Sequence, residues 1–382
     1  MTRTNGKGGW RLSLLIATVM SLAGSVRVLP AMGSADEVKT AEQAFKNIKV
    51  LVGMPESQLS GSMAYMEASL GAKNCEYCHV RSGEREMAWE KDDNPKKETA
   101  RRMIQMVLDI NKASFNGRPE VTCYTCHQGH EHPVAVPALP LPSAEAETAA
   151  PRPAGKFPTP AELIVKYVQA IGGKDAAAKF TALALKGTQT GQNGAAMQVE
   201  VHWKAPGKIL SAVATPGGTF SQGFDGAAGW TQGRNATREM NPAEMARMKE
   251  IANAYDPIKL REPYPRMRLI AKEKVDGREA WVLRVQESDN RSERLYFDTE
   301  TGLLVREVIL TPTMIGTIPE QIDFQDYRET DRVRLPFTIR LTGLNPRGNW
   351  EQKFSTIQGD ASIDDGMFAK PPAGESKSTE QR

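Results

Sequence analysis

Cysteine is scarce in this 382-residue chain, and none of it is spare. There are four, and all four fall within two short motifs, so none remains for a separate structural disulfide or for a lipid anchor near the N-terminus. Histidine is scarcer than usual, at five, and aromatic residues make up only 7%. No uninterrupted apolar run reaches the ~20 residues that a membrane-spanning helix needs. No block of Lys and Arg interleaved with aromatics occurs, and the formal net charge is only +3, which argues against a nucleic-acid partner.

What is present divides the chain into segments. Residues 1–35 read as an export signal: Arg3, Lys7 and Arg11 precede an apolar stretch from Leu12 to Val26, and Gly33-Ser34-Ala35 offers a small-residue cleavage site. The expected mature protein is therefore periplasmic or otherwise extracytoplasmic. Residues 36–132 carry helical patterning, expected at Val38 to about Val50, Gln58 to Leu70 and Glu98 to about Lys112, with Met103, Met106, Val107 and Ile110 assigned to one face of the last. Residues 133–160 are rich in Pro, Ala and Glu without apolar periodicity, and read as a linker with little to tie its flanks together.

Residues 161–372 change texture. Two helices, Ala161 to Ile171 and Lys174 to about Ala182, lead into alternating strand-like runs, one of them expected to continue from Phe220 to Thr231. Val275-Asp276-Gly277 and Thr299-Glu300-Thr301-Gly302 mark hairpins, and a helix from Pro242 to about Ala254 interrupts the strands. Residues 373–382 read as a disordered tail. The expected fold class is α+β, a mainly helical first domain followed by an antiparallel β domain with a few helices.

Each pair of cysteines belongs to a C-x-x-C-H motif: Cys75-Glu76-Tyr77-Cys78-His79 and Cys123-Tyr124-Thr125-Cys126-His127. Two disulfides, a redox-active C-x-x-C, and a zinc site built from four thiolates are the competing readings. None explains why histidine follows the second cysteine both times. Covalent haem does: the thiols add across the vinyl groups, the two-residue spacer matches the macrocycle edge, and the histidine is held under the iron. The expected cofactors are two c-type haems on Cys75, Cys78, Cys123 and Cys126, with His79 and His127 as proximal ligands. A haem also supplies much of a small domain's core, which suits the low aromatic content.

The sixth ligand decides the chemistry, since a methionine closes the iron and raises its potential whereas an open position permits peroxide chemistry. Met63/Met66 and Met103/Met106 each stand at i, i+3 on a helix before a motif; residues of that spacing also serve as ordinary core methionines. His130 and His132 follow the second motif in a polar turn that reads as solvated, and His202 reads as structural.

The segments Ser62 to His79 and Ala100 to Gly129 resemble the haem-binding repeats of the cytochrome subunit of photosynthetic reaction centres. The resemblance implies that Met63 and Met103 are the sixth ligands. Photosynthetic members typically carry four haems, against two motifs here, and the histidine that ligates a remote haem in them is missing. Further on, Tyr296 to Val305 and Asp326-Tyr327-Arg328 leading to Leu335-Pro336 are similar to periplasmic carriers of the LolA/LolB type, which implies a curved, half-barrel-like sheet around helices, able in that family to hold an acyl chain.

The expected function is electron transfer between a redox donor and acceptor, with no catalytic residues and with docking to a membrane complex through the C-terminal domain. A di-haem peroxidase-like enzyme and a lipid-binding module with a redox-reporting cytochrome are the alternatives. Between Asp36 and Ala150, 13 Lys and Arg stand against 17 Asp and Glu, a net −4 that favours a partner with a basic docking face.

Overall fold

The computed structural model describes residues 39–133 and 157–371, with short breaks at 85, 235, 257–259, 261–265, 289–290 and 360. The expected signal segment, nearly all of the linker and the tail lie outside the described residues. Among the described residues, no helix is long and apolar enough to cross a membrane.

The first region holds α1 (Ala41–Ala44), α2 (Glu56–Leu70), a ribbon of β1 (Val80–Arg81) and β2 (Met87–Ala88), α3 (Pro95–Phe115) and α4 (Cys123–His127). The helix expected from Val38 to Val50 is cut to one turn, because Asn47 and Leu51 take left-handed backbone at φ 61° and 63° and no helix passes through them. What holds that bend is polar. Asn47 Nδ2 donates to Asp92 Oδ1 at 2.9 Å, and Arg101 donates from α3 to the Asn47 carbonyl at 3.2 Å.

Helix α3 starts where Asn94 accepts the Lys96 N–H and Pro95 supplies its fixed φ, and it stops at Asn116 in the left-handed region. Its buried stripe is Arg101, Ile104, Val107 and Asn111. Of the face expected to be apolar and buried, only Val107 is; Met103 and Met106 point outward. Helix α2 ends at Gly71, φ +64°, where a side chain would strike the Gly129 carbonyl at 2.1 Å.

The second region begins with α5 (Pro160–Ala170), capped by a Thr159/Glu162 box, and α6 (Lys174–Ala177). Strands follow as β3 (Ala182–Gly191), β4 (Ala196–Lys204), β5 (Lys208–Thr215), β6 (Gly218–Phe224), β7 (Gly229–Gln232) and β8 (Thr237–Glu239). After α7 (Pro242–Tyr255) come β9 (Met267–Val275), β10 (Arg278–Ser288), β11 (Arg291–Asp298), β12 (Leu304–Thr313), β13 (Gly316–Thr330), β14 (Val333–Gly343) and β15 (Trp350–Gly359).

These thirteen strands form one antiparallel sheet in the order 8-7-6-5-4-3-15-14-13-12-11-10-9, two meanders joined where β15 pairs with β3. The sheet is open, with β8 and β9 at its edges. The expected second helix stops at Ala177, and where it was expected to end, at Ala182, strand β3 begins. Its alanines and glycines disguised it, yet Gly187 is needed there, because a side chain would meet the Lys353 carbonyl at 2.1 Å. The single strand expected from Phe220 to Thr231 is broken at Asp225, whose carboxylate accepts the Ala227 and Ala228 N–H groups at 2.8 and 2.7 Å.

The large core lies on the sheet face covered by α5 and α7, with Leu163, Ile164, Tyr167, Met248 and Tyr255 packed on Trp203, Leu283, Phe297 and Phe354. Between these helices and the strands, the cavity lined by Tyr167, Tyr255, Leu304, Phe324 and Tyr327 has about 30 Å³ of free volume, room for a few waters at most. Tyr255 and Tyr327 plug it with satisfied hydroxyls, donating to Gln352 Oε1 and the Leu304 carbonyl respectively. On the opposite face, Asp323 is buried between strands, accepting from Arg306 Nε at 2.6 Å and Arg340 Nη2 at 3.1 Å.

A smaller core gathers Ala41, Leu51, Met54, Leu59, Tyr65 and Ile104 from the first region, and with them Ile315 from the turn between β12 and β13. The weak apolar content of residues 133–160 therefore does not leave the helices and the sheet unconnected; α2 packs on α7 and on β13, and the β12–β13 turn enters the small core.

Candidate functional site

Both C-x-x-C-H motifs fold as a single helical turn. Cys75–Tyr77 is a 3₁₀ turn capped by Asn74, whose side chain accepts the Glu76 N–H, and His79 N–H donates to the Cys75 carbonyl at 3.0 Å. In α4, Thr122 and Thr125 cap one another reciprocally, and the turn ends at Gln128 with φ 50°. A helical turn sets residues i and i+3 on one side, so each pair of thiols can engage one ligand edge. The four thiols are free. Among the described residues, no group of three or more His, Cys, Asp or Glu is placed to hold a metal ion, so the four cysteines are not assembled as a zinc site.

The histidines are held differently. His127 Nδ1 lies 3.0 Å from the His130 carbonyl; in the tautomer that donates from Nδ1, Nε2 is left with its lone pair for a metal. It is the His130 backbone that does this, while the rings of His130 and His132 are exposed, as a solvated turn requires. His79 sits edge-on to the Trp89 indole, with centroids 5.2 Å apart. Burial, and next the Lys97 ammonium, hold its imidazole below the ordinary histidine value, with the Trp89 backbone pulling weakly the other way. Its Nδ1 is buried without a hydrogen-bond partner.

The methionine helices brace the motifs crosswise. Helix α2, which precedes the first motif in sequence, packs on α4. Gly129 N–H donates to the Ser69 carbonyl at 2.8 Å, and Tyr65 donates its hydroxyl to Thr122 Oγ1 at 2.9 Å. The start of α3 meets the first motif instead. Asn94 Nδ2 donates to the Tyr77 carbonyl at 3.1 Å, and Lys96 Nζ stands 3.6 Å over the Tyr77 ring while pairing with Glu131. The two motifs thus become neighbours.

Met63 is 36% exposed, and Met66 packs into the small core beside Cys123. Met63 shares its face of α2 with Glu67, one turn on. Burial chiefly raises the Cys78 thiol; the Lys96 ammonium works against it, and Cys75 and then Glu67 add to it. Burial likewise pushes the Cys123 thiol up to about 11. Met103 and Met106, 41% and 42% exposed, stand together on the outer face of α3.

With Trp89 and Tyr124 also more than half exposed, the region leaves large apolar side chains uncovered around two thiol pairs and two histidines. A flat apolar macrocycle with a metal at its centre fits that donor set. Trp89, Tyr65 and Thr122 support the site and carry no sequence signal of that role.

Residues 17–154 match the family described as the photosynthetic reaction centre cytochrome C subunit. This part of the chain resembles that subunit. The reaction center cytochrome c subunit of Thermochromatium tepidum is 31% identical over 111 residues, 28% of this chain and 26% of that protein. Cytochrome c-554 of Chloroflexus aurantiacus is 33% identical over 87 residues, 21% of this chain and 20% of that protein. The chain thus spans about a quarter or less of these relatives' length.

Solved structures align with part of the chain at low similarity. A LolA superfamily protein from Nitrosomonas europaea aligns over 56% of this chain and 99% of its own, with 10% identity and a TM-score of 0.37. A DUF1329 family protein from Desulfovibrio piger aligns over 55% and 95%, with 12% identity and a TM-score of 0.38.

Proposed function

We propose that this chain is an exported di-haem c-type cytochrome that transfers electrons between protein redox partners in the periplasm. The observation that carries the reading is the pair of capped helical turns, each presenting two thiols and a following histidine, within the segment that resembles reaction-centre cytochrome subunits. A bound haem supplies reversible one-electron chemistry at its iron.

The chain's own residues do the rest. Cys75 and Cys78 fix one ring and Cys123 and Cys126 the other, while His79 and His127 offer proximal nitrogens. The His130 carbonyl orients the His127 ring. Met63 and Met103 are the proposed sixth ligands, both with side chains left uncovered on their helices. Methionine on both irons favours electron transfer over peroxidase chemistry, which needs an open position. The cavity between sheet and helices offers only about 30 Å³, and the hollow of about 400 Å³ beside β9 and β10 is lined by Arg266, Met267, Arg268, Arg284 and Gln286, a largely charged set unsuited to an acyl chain; the proposed role of the sheet is docking, including to a membrane complex.

The test is the absorption spectrum of the oxidised protein. A sulfur-to-iron charge-transfer band is expected. A high-spin spectrum would count for the enzyme.

A further inference from the structure

The sheet shares a buried cluster with one of the two motifs. At the turn between β12 and β13, Thr313 Oγ1 donates to the Gly316 carbonyl at 2.8 Å, closing a tight loop with Met314 and Ile315 at its tip. Ile315 is fully buried, and it is buried among residues of the first region: Leu59, Tyr65 and Ile104, with Met66 and Cys123 packed around them. Neither Cys75 nor Cys78 belongs to that cluster.

The approach is close enough to dictate residue type. A side chain on Gly316, φ +154°, would lie 2.4 Å from the Tyr65 ring, and one on Gly61 of α2 would lie 2.8 Å from Ile318 of β13. Tyr65, wedged by the hairpin, donates its hydroxyl to Thr122 Oγ1 at 2.9 Å. Thr122 is the cap of α4, accepting the Thr125 N–H at 3.2 Å. The chain of contact therefore runs from the hairpin tip through Tyr65 and Thr122 to the turn that bears Cys123, Cys126 and His127.

We propose that the Thr313–Gly316 hairpin is a positioning element of the second haem site, through which the sheet sets the redox properties of that haem more than those of the first. The proposal rests on the di-haem reading. Its physical basis is that hydrogen bonding around an axial histidine and the exclusion of water from a haem both tune its potential. Loosening the α4 turn admits water, which favours the more highly charged ferric form and lowers the potential.

The experiment is a redox titration, followed by visible absorption, of full-length chains that each keep one motif: Cys75→Ala/Cys78→Ala for the second haem and Cys123→Ala/Cys126→Ala for the first. Ile315→Ala is expected to lower the midpoint potential of the second haem by clearly more than that of the first, and the conservative Ile315→Val to restore the parent value. Tyr65→Phe removes only the hydroxyl to Thr122 and is expected to shift the second haem in the same direction; it keeps the test open if Ile315→Ala does not fold. Equal shifts in both haems, or no selective shift with Tyr65→Phe, overturn the proposal. Parent chains without attached haem overturn it together with the reading beneath it, whereas haem-bearing parents with no selective shift overturn the proposal alone.

Discussion

At the scale of single residues, the four methionines of α2 and α3 separate. Met66 fills the small core beside Cys123, so Met66→Leu is a near volume-conserving change expected to cost less than ~1.5 kcal/mol and to leave both spectra intact. Met106→Leu, at an exposed position, is expected to be mild as well. Met63→Ala is expected to abolish the low-spin methionine signature of the first haem and lower its potential, and Met103→Ala that of the second. Spectra of the four purified variants check this, and the reverse pattern, with Met66 and Met106 essential, would overturn the ligand assignment. The cysteines and histidines were legible in the sequence because the motif is local. Trp89 beside His79, and Tyr65 donating to Thr122 across 57 positions, were not, because nothing nearby in the sequence marks a contact so distant.

At the scale of elements, the first region depends on a polar clamp as much as on its small core. Asp92 pairs with Lys49, Lys97 and the nearly buried Arg101 at 2.7, 3.1 and 2.9 Å, tying the Asn47 bend to α3. Arg101 first, then Lys49, hold its carboxyl far below the ordinary value of 3.8. A carboxyl whose folded-state value is depressed adds stability that is fully present above the unfolded value and lost as pH falls through the folded one. Acid denaturation monitored by circular dichroism is therefore expected to show the wild type losing stability below pH 3.8, and Asp92→Asn, less stable at neutral pH, losing less over that window. An unchanged acid profile in Asp92→Asn would contradict the clamp. Most strands and the helices α2, α3, α5 and α7 were legible from periodicity and turn residues. Helix α1 and strand β3 were not, since left-handed Asn47 and Leu51 and the close approach of Gly187 to β15 are imposed by tertiary contacts.

At the scale of the whole molecule, composition separates a helical, cysteine-bearing part from an antiparallel sheet, and the two are tied by packing of α2 on α7 and on the β12–β13 hairpin, which no local pattern announces. Burying an isoleucine side chain is worth ~1.5–3 kcal/mol. A fragment from Asp36 to about Pro140 loses Ile315 from its core, and in urea it is expected to unfold at a lower midpoint than the same region in the full chain. Equal midpoints would mean that the hairpin contact contributes nothing to stability.

The central claim, two covalently held haems on one exported chain, is tested most directly by the intact mass of the purified protein. The account predicts the mass of the polypeptide plus two haems, falling to one in Cys75→Ala/Cys78→Ala and to one in Cys123→Ala/Cys126→Ala. A mass without haem, accompanied by bound zinc or by a disulfide within either motif, would contradict it.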